Sequence, residues 1–213
     1  MKRIYGLVFL LIVLIKPLLI QAQETERIYM LSGVMETAAG FRLLTDHTFE
    51  YFFSYGAADK WGKGTWKRVD SLIIFTSYHQ QPEQDFILKE AKKTKNDFLQ
   101  ITVADSIHNP YRYVACLLND NERSTNENGI VTYPADSARY LRMYHPIFSI
   151  RLTTINLPKD KNDFIIGPSC DLSEVFFNNL VFTASPNEIT STILPGSPDQ
   201  PIGSKTFHFK AEQ

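Results

Sequence analysis

The stretch FRLLTDHTFEYFFSY, residues 41–55, decides the fold class of this chain. From residue 49 onward every second side chain is aromatic, namely Phe49, Tyr51, Phe53 and Tyr55. Alternate side chains of an extended strand lie on one face, whereas a helix needs a period of about 3.6 residues. Asp46 and His47 separate this strand from the apolar segment before it, as in a hairpin. The stretch therefore predicts antiparallel β structure with an aromatic face.

Similar short strands are expected along the rest of the chain. In the first half they are residues 65–69, 72–76 and 86–88, and residues 56–64, with their three glycines, are expected to form a loop. In the second half the expected strands are residues 99–103, 111–118, 130–133, 140–144, 148–157, 164–166, 175–183 and 207–210. No useful helical period follows residue 22, so the sequence predicts an all-β protein.

The first 22 residues have the three parts of a cleavable signal peptide. Lys2 and Arg3 supply the positive charge, residues 7–15 are apolar, and Ala22 offers a small residue at the cleavage point. The apolar run is shorter than the roughly 20 residues that a membrane-spanning helix needs. We therefore expect export to the periplasm or beyond, without a stable membrane anchor.

Composition and charge limit the possible partners. The chain has 22 basic and 23 acidic residues, so its net charge of -1 gives no reason to expect nucleic acid. Aromatic residues make up 13% of the chain, which suits packed strands. A charged segment at residues 89–97 indicates a junction between two small β domains. We expect a partial barrel or meander at residues 23–95 and a sandwich at residues 96–213.

The first of these domains resembles lipocalin-like exported domains. In that family an apolar strand leads to Asp-x-Thr-Phe, then to Gly-x-Trp, then to an aliphatic strand. The matching pieces are Leu44-Thr45-Asp46-His47-Thr48-Phe49, Gly64-Thr65-Trp66 and Leu72-Ile73-Ile74-Phe75. The resemblance implies a barrel that could hold a small ligand.

The second domain resembles the carboxypeptidase-regulatory type of β-sandwich, which is similar in architecture to transthyretin. The matching pieces are Asp105-Ser106-Ile107-His108-Asn109-Pro110 and Thr125-Asn126-Glu127-Asn128-Gly129. The glycine-alanine pair usual in the first strand of that family is replaced by Tyr113-Val114. The resemblance implies a non-catalytic module that acts as a spacer, a stabilising unit or a contact surface.

Motifs that carry chemistry are scarce in this sequence. Its five histidines, His47, His79, His108, His145 and His208, show no zinc-ligand spacing, and no nucleophile elbow is present. We therefore expect no metal, no cofactor and no enzymatic activity, with a hydrolase of dispersed site as the least favoured alternative. Cys116 and Cys170 allow one disulfide in an oxidising compartment, although Cys116 lies in an apolar run where a free thiol also fits.

Contact and modification sites are expected at a few positions. Trp61, in the predicted loop, is a candidate anchor for a protein or a glycan of the cell envelope. Tyr51, Phe53 and Tyr55 are candidate ligand contacts on the aromatic face. The Asp-Ser-apolar triplets resemble the O-glycosylation site of some Gram-negative envelopes, and their serines are Ser71, Ser106 and Ser137.

Two functions are weighed from these observations. The first is a non-catalytic exported protein that acts as a binding or structural module of the cell envelope. The second is a small-ligand binder whose N-terminal half-barrel closes against the second domain. The aromatic face distinguishes them. If its rings fill a solid core, the ligand hypothesis fails, and if they line a cavity of roughly 300 Å³ or more, it gains.

Overall fold

A computed structural model describes residues 25–119, 121–134, 140–149, 151–197 and 205–212. Those ranges contain sixteen strands and no helix, which confirms the all-β prediction. No helix of the described residues is long and apolar enough to cross a membrane. The signal peptide predicted at residues 1–22 lies outside the described residues.

The strands fall into three groups along the chain. The first group is β1 (Arg27–Ser32), β2 (Thr37–Leu43), β3 (Thr48–Tyr55), β4 (Ala58–Val69) and β5 (Leu72–Ser77). The second is β6 (Phe86–Lys92), β7 (Phe98–Val103), β8 (Ala115–Leu118), β9 (Asn121–Ser124), β10 (Ile130–Pro134), β11 (Tyr140–Tyr144), β12 (Thr153–Asn156) and β13 (Asp163–Pro168). The third is β14 (Leu180–Ser185), β15 (Glu188–Ser191) and β16 (Phe207–Ala211).

The first and third groups form one closed barrel. Its strand order is β1-β16-β15-β14-β5-β4-β3-β2, and all the pairings between neighbours are antiparallel. The meander of β1 to β5 has two free edges, and the last three strands of the chain cover both, with β14 on β5 and β16 on β1. Closure in this way gives the edge backbone groups partners.

The second group is inserted between β5 and β14 and forms a sandwich. One sheet has the order β10-β7-β13-β6 and the other β12-β11-β8-β9. The two sheets share one hydrophobic core, to which Leu99 and Phe164 contribute from the first sheet and Cys116 and Leu141 from the second. The sandwich architecture follows from two sheets whose apolar faces cover each other.

The expected division into residues 23–95 and 96–213 is therefore wrong as a description of the sheets. β6, which lies before residue 95, pairs with β13 of the sandwich, and β14 to β16, which lie after it, belong to the barrel. The charged segment at residues 89–97 is the end of β6 and the turn into β7. Its lysines are exposed because β6 is the edge strand of its sheet.

The expected loop at residues 56–64 is also wrong, because β4 begins at Ala58. Gly62 and Gly64 are needed for close packing within this strand. A Cβ atom on Gly62 would lie 2.7 Å from the Phe177 ring, and one on Gly64 would lie 2.0 Å from the carbonyl oxygen of Thr76. Glycine in a strand often marks such an approach of other atoms to the backbone.

Three further expected strands are shorter than the apolar pattern suggests. The segment at 111–118 is a strand only from Ala115, the one at 148–157 only from Thr153 to Asn156, and the one at 175–183 only from Leu180. At the first of them Tyr113 has a φ of 58°, which is incompatible with an extended strand. The apolar residues before these strands are used in connections.

Aromatic rings fill the barrel interior. Phe41 lies at its centre, with its ring centroid 4.5 Å from that of Phe75 and 4.6 Å from that of Tyr51. The other rings of this core are Phe49, Phe53, Trp66, Phe177, Phe182, Phe207 and Phe209. Tyr51 and Phe53 are therefore buried core residues, and they do not line a cavity as the expected ligand contacts would. This solid core argues against the expected ligand inside the N-terminal barrel. Tyr55 ends the strand with 43% of its surface exposed and leaves the aromatic face.

Candidate ligand pocket at the barrel mouth

Both connections between barrel and sandwich lie at one end of the barrel, which we call the mouth. β3 ends and β4 begins there, and the hairpin between them pairs Tyr55 with Ala58. Residues 78–85, the outgoing connection, lead from the end of β5 to the sandwich. Residues 169–179, the return segment, lead from the sandwich back to β14. The connection from β15 to β16 also begins here, since Ser191 pairs with Phe207.

The return segment adds to the barrel wall beside β4. Its Ser173 carbonyl accepts a hydrogen bond from the Trp61 amide at 3.0 Å, and the Val175 amide donates to the Trp61 carbonyl at 2.6 Å. The Trp61 indole N–H lies 3.1 Å from both Asp171 Oδ2 and Ser173 Oγ. Trp61 thus fastens the return segment to a strand.

This arrangement corrects the expectation for Trp61. The residue was expected on an exposed loop, but it lies in β4, half-buried, with its indole N–H already engaged. A partner could contact the exposed part of the ring, but the polar edge that an anchor would use is engaged.

The return segment also closes the mouth from inside. Phe177 enters the aromatic core, where its ring centroid lies 5.0 Å from that of Phe49 at an angle of 77°. Its backbone is fixed to the end of β5, because the Ser77 amide donates to the Phe177 carbonyl at 2.8 Å and the Phe177 amide donates to Ser77 Oγ at 2.9 Å. Phe177 therefore closes the barrel interior at the end that faces the mouth.

A turn after β15 forms the other side of the mouth. The hydroxyl of Tyr51 donates a hydrogen bond of 2.7 Å to the carbonyl of Pro195, and burial raises the pKa of Tyr51 well above its usual value. Gly196 follows with a φ of 81°, and a Cβ atom there would lie 3.1 Å from Val175 and 3.3 Å from Phe53. Glycine suits this position because its φ is in the left-handed region and space is short.

A cavity of about 470 Å³ lies between β4, the return segment and the turn after β15. Gln81, in the connection before β6, and Ser149, between β11 and β12, line its remaining side. Its apolar lining is Val175, Phe176, Leu180, Ile193, Pro195 and Gly196. Its polar lining is Lys60, Gln81, Ser149, Glu174, Asn178 and Ser197. A pocket of this size, whose lining residues are half apolar and half polar, is large enough for a small molecule.

Lys60 is the unusual residue of this lining. It stands opposite Phe53 in the β3–β4 pairing and points to the barrel side of the sheet, where only 7% of its surface is exposed. Lys60 makes no hydrogen bond or ion pair with any residue that the structure describes. Burial lowers the pKa of its ammonium, and the charge of Asp85 opposes that shift in part.

Two carboxylates belong to the surroundings of Lys60. Asp85 is buried at the end of the outgoing connection, and its Oδ1 lies 3.8 Å from Nε of Arg151. Glu174 lines the cavity itself, and its pKa is raised, chiefly by burial. The mouth therefore contains one buried cation near two acidic side chains that do not pair with it.

Sequence reasoning missed Lys60 because the glycines around it indicated a loop. A signal was available, since Ala58, Lys60, Gly62 and Gly64 continue with period two from the buried Trp66. Extending that period backward from Trp66 puts the lysine on the inner face of a strand. Charged residues are almost never fully buried unless paired, so such a lysine calls for an explanation.

Of the two alternatives for Cys116 and Cys170, the structure has the free thiols and not the disulfide. The Cys116 side chain is buried in the sandwich core, where burial raises its pKa to about 12. Cys170 lies in the return segment beside Asp171, half-buried, and burial raises its pKa too. The two thiols belong to different packing environments, so the apolar alternative holds for Cys116.

The serines of the three glycosylation triplets differ in what can be described. Ser71, in the turn between β4 and β5, and Ser106, in the turn after β7, are both exposed. Ser137 lies outside the described residues. Modification at these positions stays a prediction. In the ranges that the structure describes, no group of three or more His, Cys, Asp or Glu side chains could hold a metal ion.

In comparisons with known proteins, no family model, no curated protein and no solved structure matches this chain. The two family resemblances of the sequence therefore stay predictions.

Proposed function

We propose that this chain is a non-catalytic, exported binding protein and that its ligand is a small molecule held in the cavity at the barrel mouth. The observation that carries the proposal is the 470 Å³ cavity, half of whose lining is apolar. It exceeds the roughly 300 Å³ at which small-molecule pockets begin. A second pocket of about 480 Å³ lies at the opposite end of the barrel, but only three of its eight lining residues, Ile28, Pro186 and Ala211, are apolar.

The location of the cavity supports this proposal over a ligand inside the barrel. Aromatic rings fill the barrel interior, and the ring of Phe177 from the return segment is one of them. The cavity walls come from three separate parts of the chain, represented by Lys60 of β4, Val175 of the return segment and Pro195 of the turn. Hydrogen bonds from Trp61 and Tyr51 hold two of these walls, so the pocket is formed before any ligand arrives.

The polar side chains of the cavity favour binding over catalysis. Ser149 lies between β11 and β12, and its Oγ accepts a hydrogen bond of 2.8 Å from the His145 amide. A nucleophile is expected to face a general base within hydrogen-bond reach, and this serine instead caps a turn. The export part of the proposal rests on the signal-peptide pattern of residues 1–22.

The test is binding of N-phenyl-1-naphthylamine, an uncharged apolar dye, to the mature protein. We expect fluorescence enhancement with the wild type and at least a tenfold weaker affinity for Ile193→Trp, whose larger side chain would fill the cavity. Val181→Trp is the matched control, because Val181 is an exposed aliphatic residue of β14 that does not line the cavity. Absence of dye binding by the wild type, or equal binding by Ile193→Trp, would refute the proposal.

A further inference from the structure

We infer that the ligand of this cavity is a carboxylic acid with an apolar body, bound as the carboxylate by Lys60. The inference rests on the proposed function and adds the chemical class of the ligand. It is carried by a charged side chain that is more than nine-tenths buried, lines the cavity and lacks a partner among the described residues.

A buried ammonium without a hydrogen-bonded partner is costly, because it loses hydration, and the charge of Asp85 compensates Lys60 only in part. Lys60 lies on a strand whose neighbouring inward positions are alanine and glycines, and Phe53 lies directly across the sheet. Its surroundings therefore supply no acceptor from the barrel wall. A carboxylate in the cavity would provide the missing charge and two acceptor oxygens.

The acidic groups nearby do not take this role. Asp85 acts on Lys60 through its charge, but one of its oxygens lies 3.8 Å from Nε of Arg151. Glu174 lines the same cavity, and burial raises its pKa. A ligand carboxylate is accordingly expected on the Lys60 side of the cavity, away from Glu174.

The single cation also limits the charge of the ligand. Of the described residues that line the cavity, Lys60 is the one base, and no arginine fork is present to grip a phosphate in two places. One ammonium matches one carboxylate in charge. Val175, Phe176, Leu180, Ile193 and Pro195 then offer an apolar surface to the remainder of the molecule.

The experiment measures displacement of N-phenyl-1-naphthylamine by decanoate, by 1-decanol and by decyl phosphate at pH 7. We expect decanoate to bind the wild type at least about tenfold more tightly than decanol, since a charge-assisted hydrogen bond is added. Lys60→Met should weaken decanoate at least about tenfold and leave decanol and the dye unchanged or tighter. Lys67→Met, an exposed outward lysine of the same strand, should behave as the wild type.

The outcomes separate the two proposals. Three results would overturn the carboxylate inference while the binding function stands, provided that the dye binds the wild type. They are an equal affinity for decanol and decanoate, a higher affinity for decyl phosphate than for decanoate, and an unchanged affinity of Lys60→Met for decanoate. If the dye itself fails to bind the wild type, the proposed function fails. Loss of dye binding in Lys60→Met would overturn the assignment of a charge-specific role to this residue.

Discussion

The phenol of Tyr51, on the inner face of β3, donates a hydrogen bond of 2.7 Å to the carbonyl oxygen of Pro195, in the turn that follows β15. This bond joins the aromatic core to a wall of the cavity. It also gives a partner to a phenol whose pKa burial raises well above the usual value. The same side chain thus serves the core and the mouth.

Removing this hydroxyl should destabilise the protein. In Tyr51→Phe the Pro195 carbonyl loses its donor, and a buried acceptor without a partner costs about 1–3 kcal/mol. Urea denaturation followed by tryptophan fluorescence measures the loss. Tyr55→Phe is the control, because that phenol is exposed and a surface change there should stay within about 0.5 kcal/mol. Equal stability of the two variants would show that the bond contributes nothing.

Phe177 joins the return segment to the barrel core, so its loss should affect the whole barrel. Phe177→Ala removes contacts with Phe41, Phe49, Tyr51 and Phe75, and core truncations of this kind cost about 3–5 kcal/mol. The free energy of unfolding in urea is again the measurement.

Tyr78→Ala is the control for this truncation, since about half of Tyr78 is exposed and the residue lies in the outgoing connection. We expect it to cost less than a third as much as Phe177→Ala. A similar loss of unfolding free energy for both variants would mean that packing of the Phe177 ring does not stabilise the barrel core.

The sequence predicts local pairing well because alternation is a local signal. β3 follows from its aromatic period, and the hairpin of β4 and β5 follows from Asp70-Ser71 between two apolar segments. Barrel closure is different, because the bonds between β5 and β14 are made by backbone atoms that carry no sequence information. The inserted sandwich separates these strands along the chain, so counting strands in the first half could only suggest an open meander.

The candidate site could not be predicted from the sequence because it also depends on contacts between segments that are distant in the chain. Its walls meet only where the return segment runs beside β4, and Gly62, which makes room for Val175 and Phe177 of that segment, looks like a loop residue in the sequence. The sequence indicates Trp61 as a candidate contact because it is a tryptophan in a polar segment. The acceptors of its indole N–H, Asp171 and Ser173, are distant in the chain. A tertiary contact of this kind leaves no periodic trace.

Lys60 should lower the stability of the unliganded protein. The pKa of Lys60 is lower in the folded protein than in the unfolded chain. Its charge therefore destabilises the folded state fully at a pH below the pKa of the folded state, and this destabilisation disappears at a pH above the pKa of the unfolded state. Lys60→Met should therefore gain about 1–3 kcal/mol at pH 7, because an unpaired buried charge is removed.

The measurement is urea denaturation at pH 7, with Lys67→Met as the exposed control, which should change stability by less than about 0.5 kcal/mol. A gain confined to Lys60→Met is expected of a residue kept for function at the expense of stability. If Lys60→Met is instead less stable than the wild type, the ammonium has a stabilising partner and is not available to a ligand.

The two cysteines should react as separate free thiols. In the native protein at pH 8, Cys116 should resist Ellman's reagent, because it is buried and its pKa of about 12 keeps it protonated. Cys170, half-buried, should react first and account for the native signal, which Cys170→Ser should abolish. Denaturation without reductant should expose both thiols. Recovery of fewer than two thiols from the denatured wild type would restore the disulfide hypothesis.

The pH dependence of decanoate binding tests the role of Lys60 most directly. Decanoate is ionised throughout the range from pH 7 to pH 10, because carboxyl groups of this kind titrate near 4–5, roughly as Glu does. Rising pH removes the proton of Lys60 at a lowered pKa in the unliganded protein, so the affinity for decanoate should be highest near pH 7 and fall toward pH 10.

Asp85 and Glu174 are the acidic groups near the lysine. In Lys60→Met they remain while the cation is gone, so decanoate affinity should be low and flat, as should the decanol affinity of the wild type. A fall of equal size in Lys60→Met would assign the titration to another group and exclude Lys60 as the carboxylate partner.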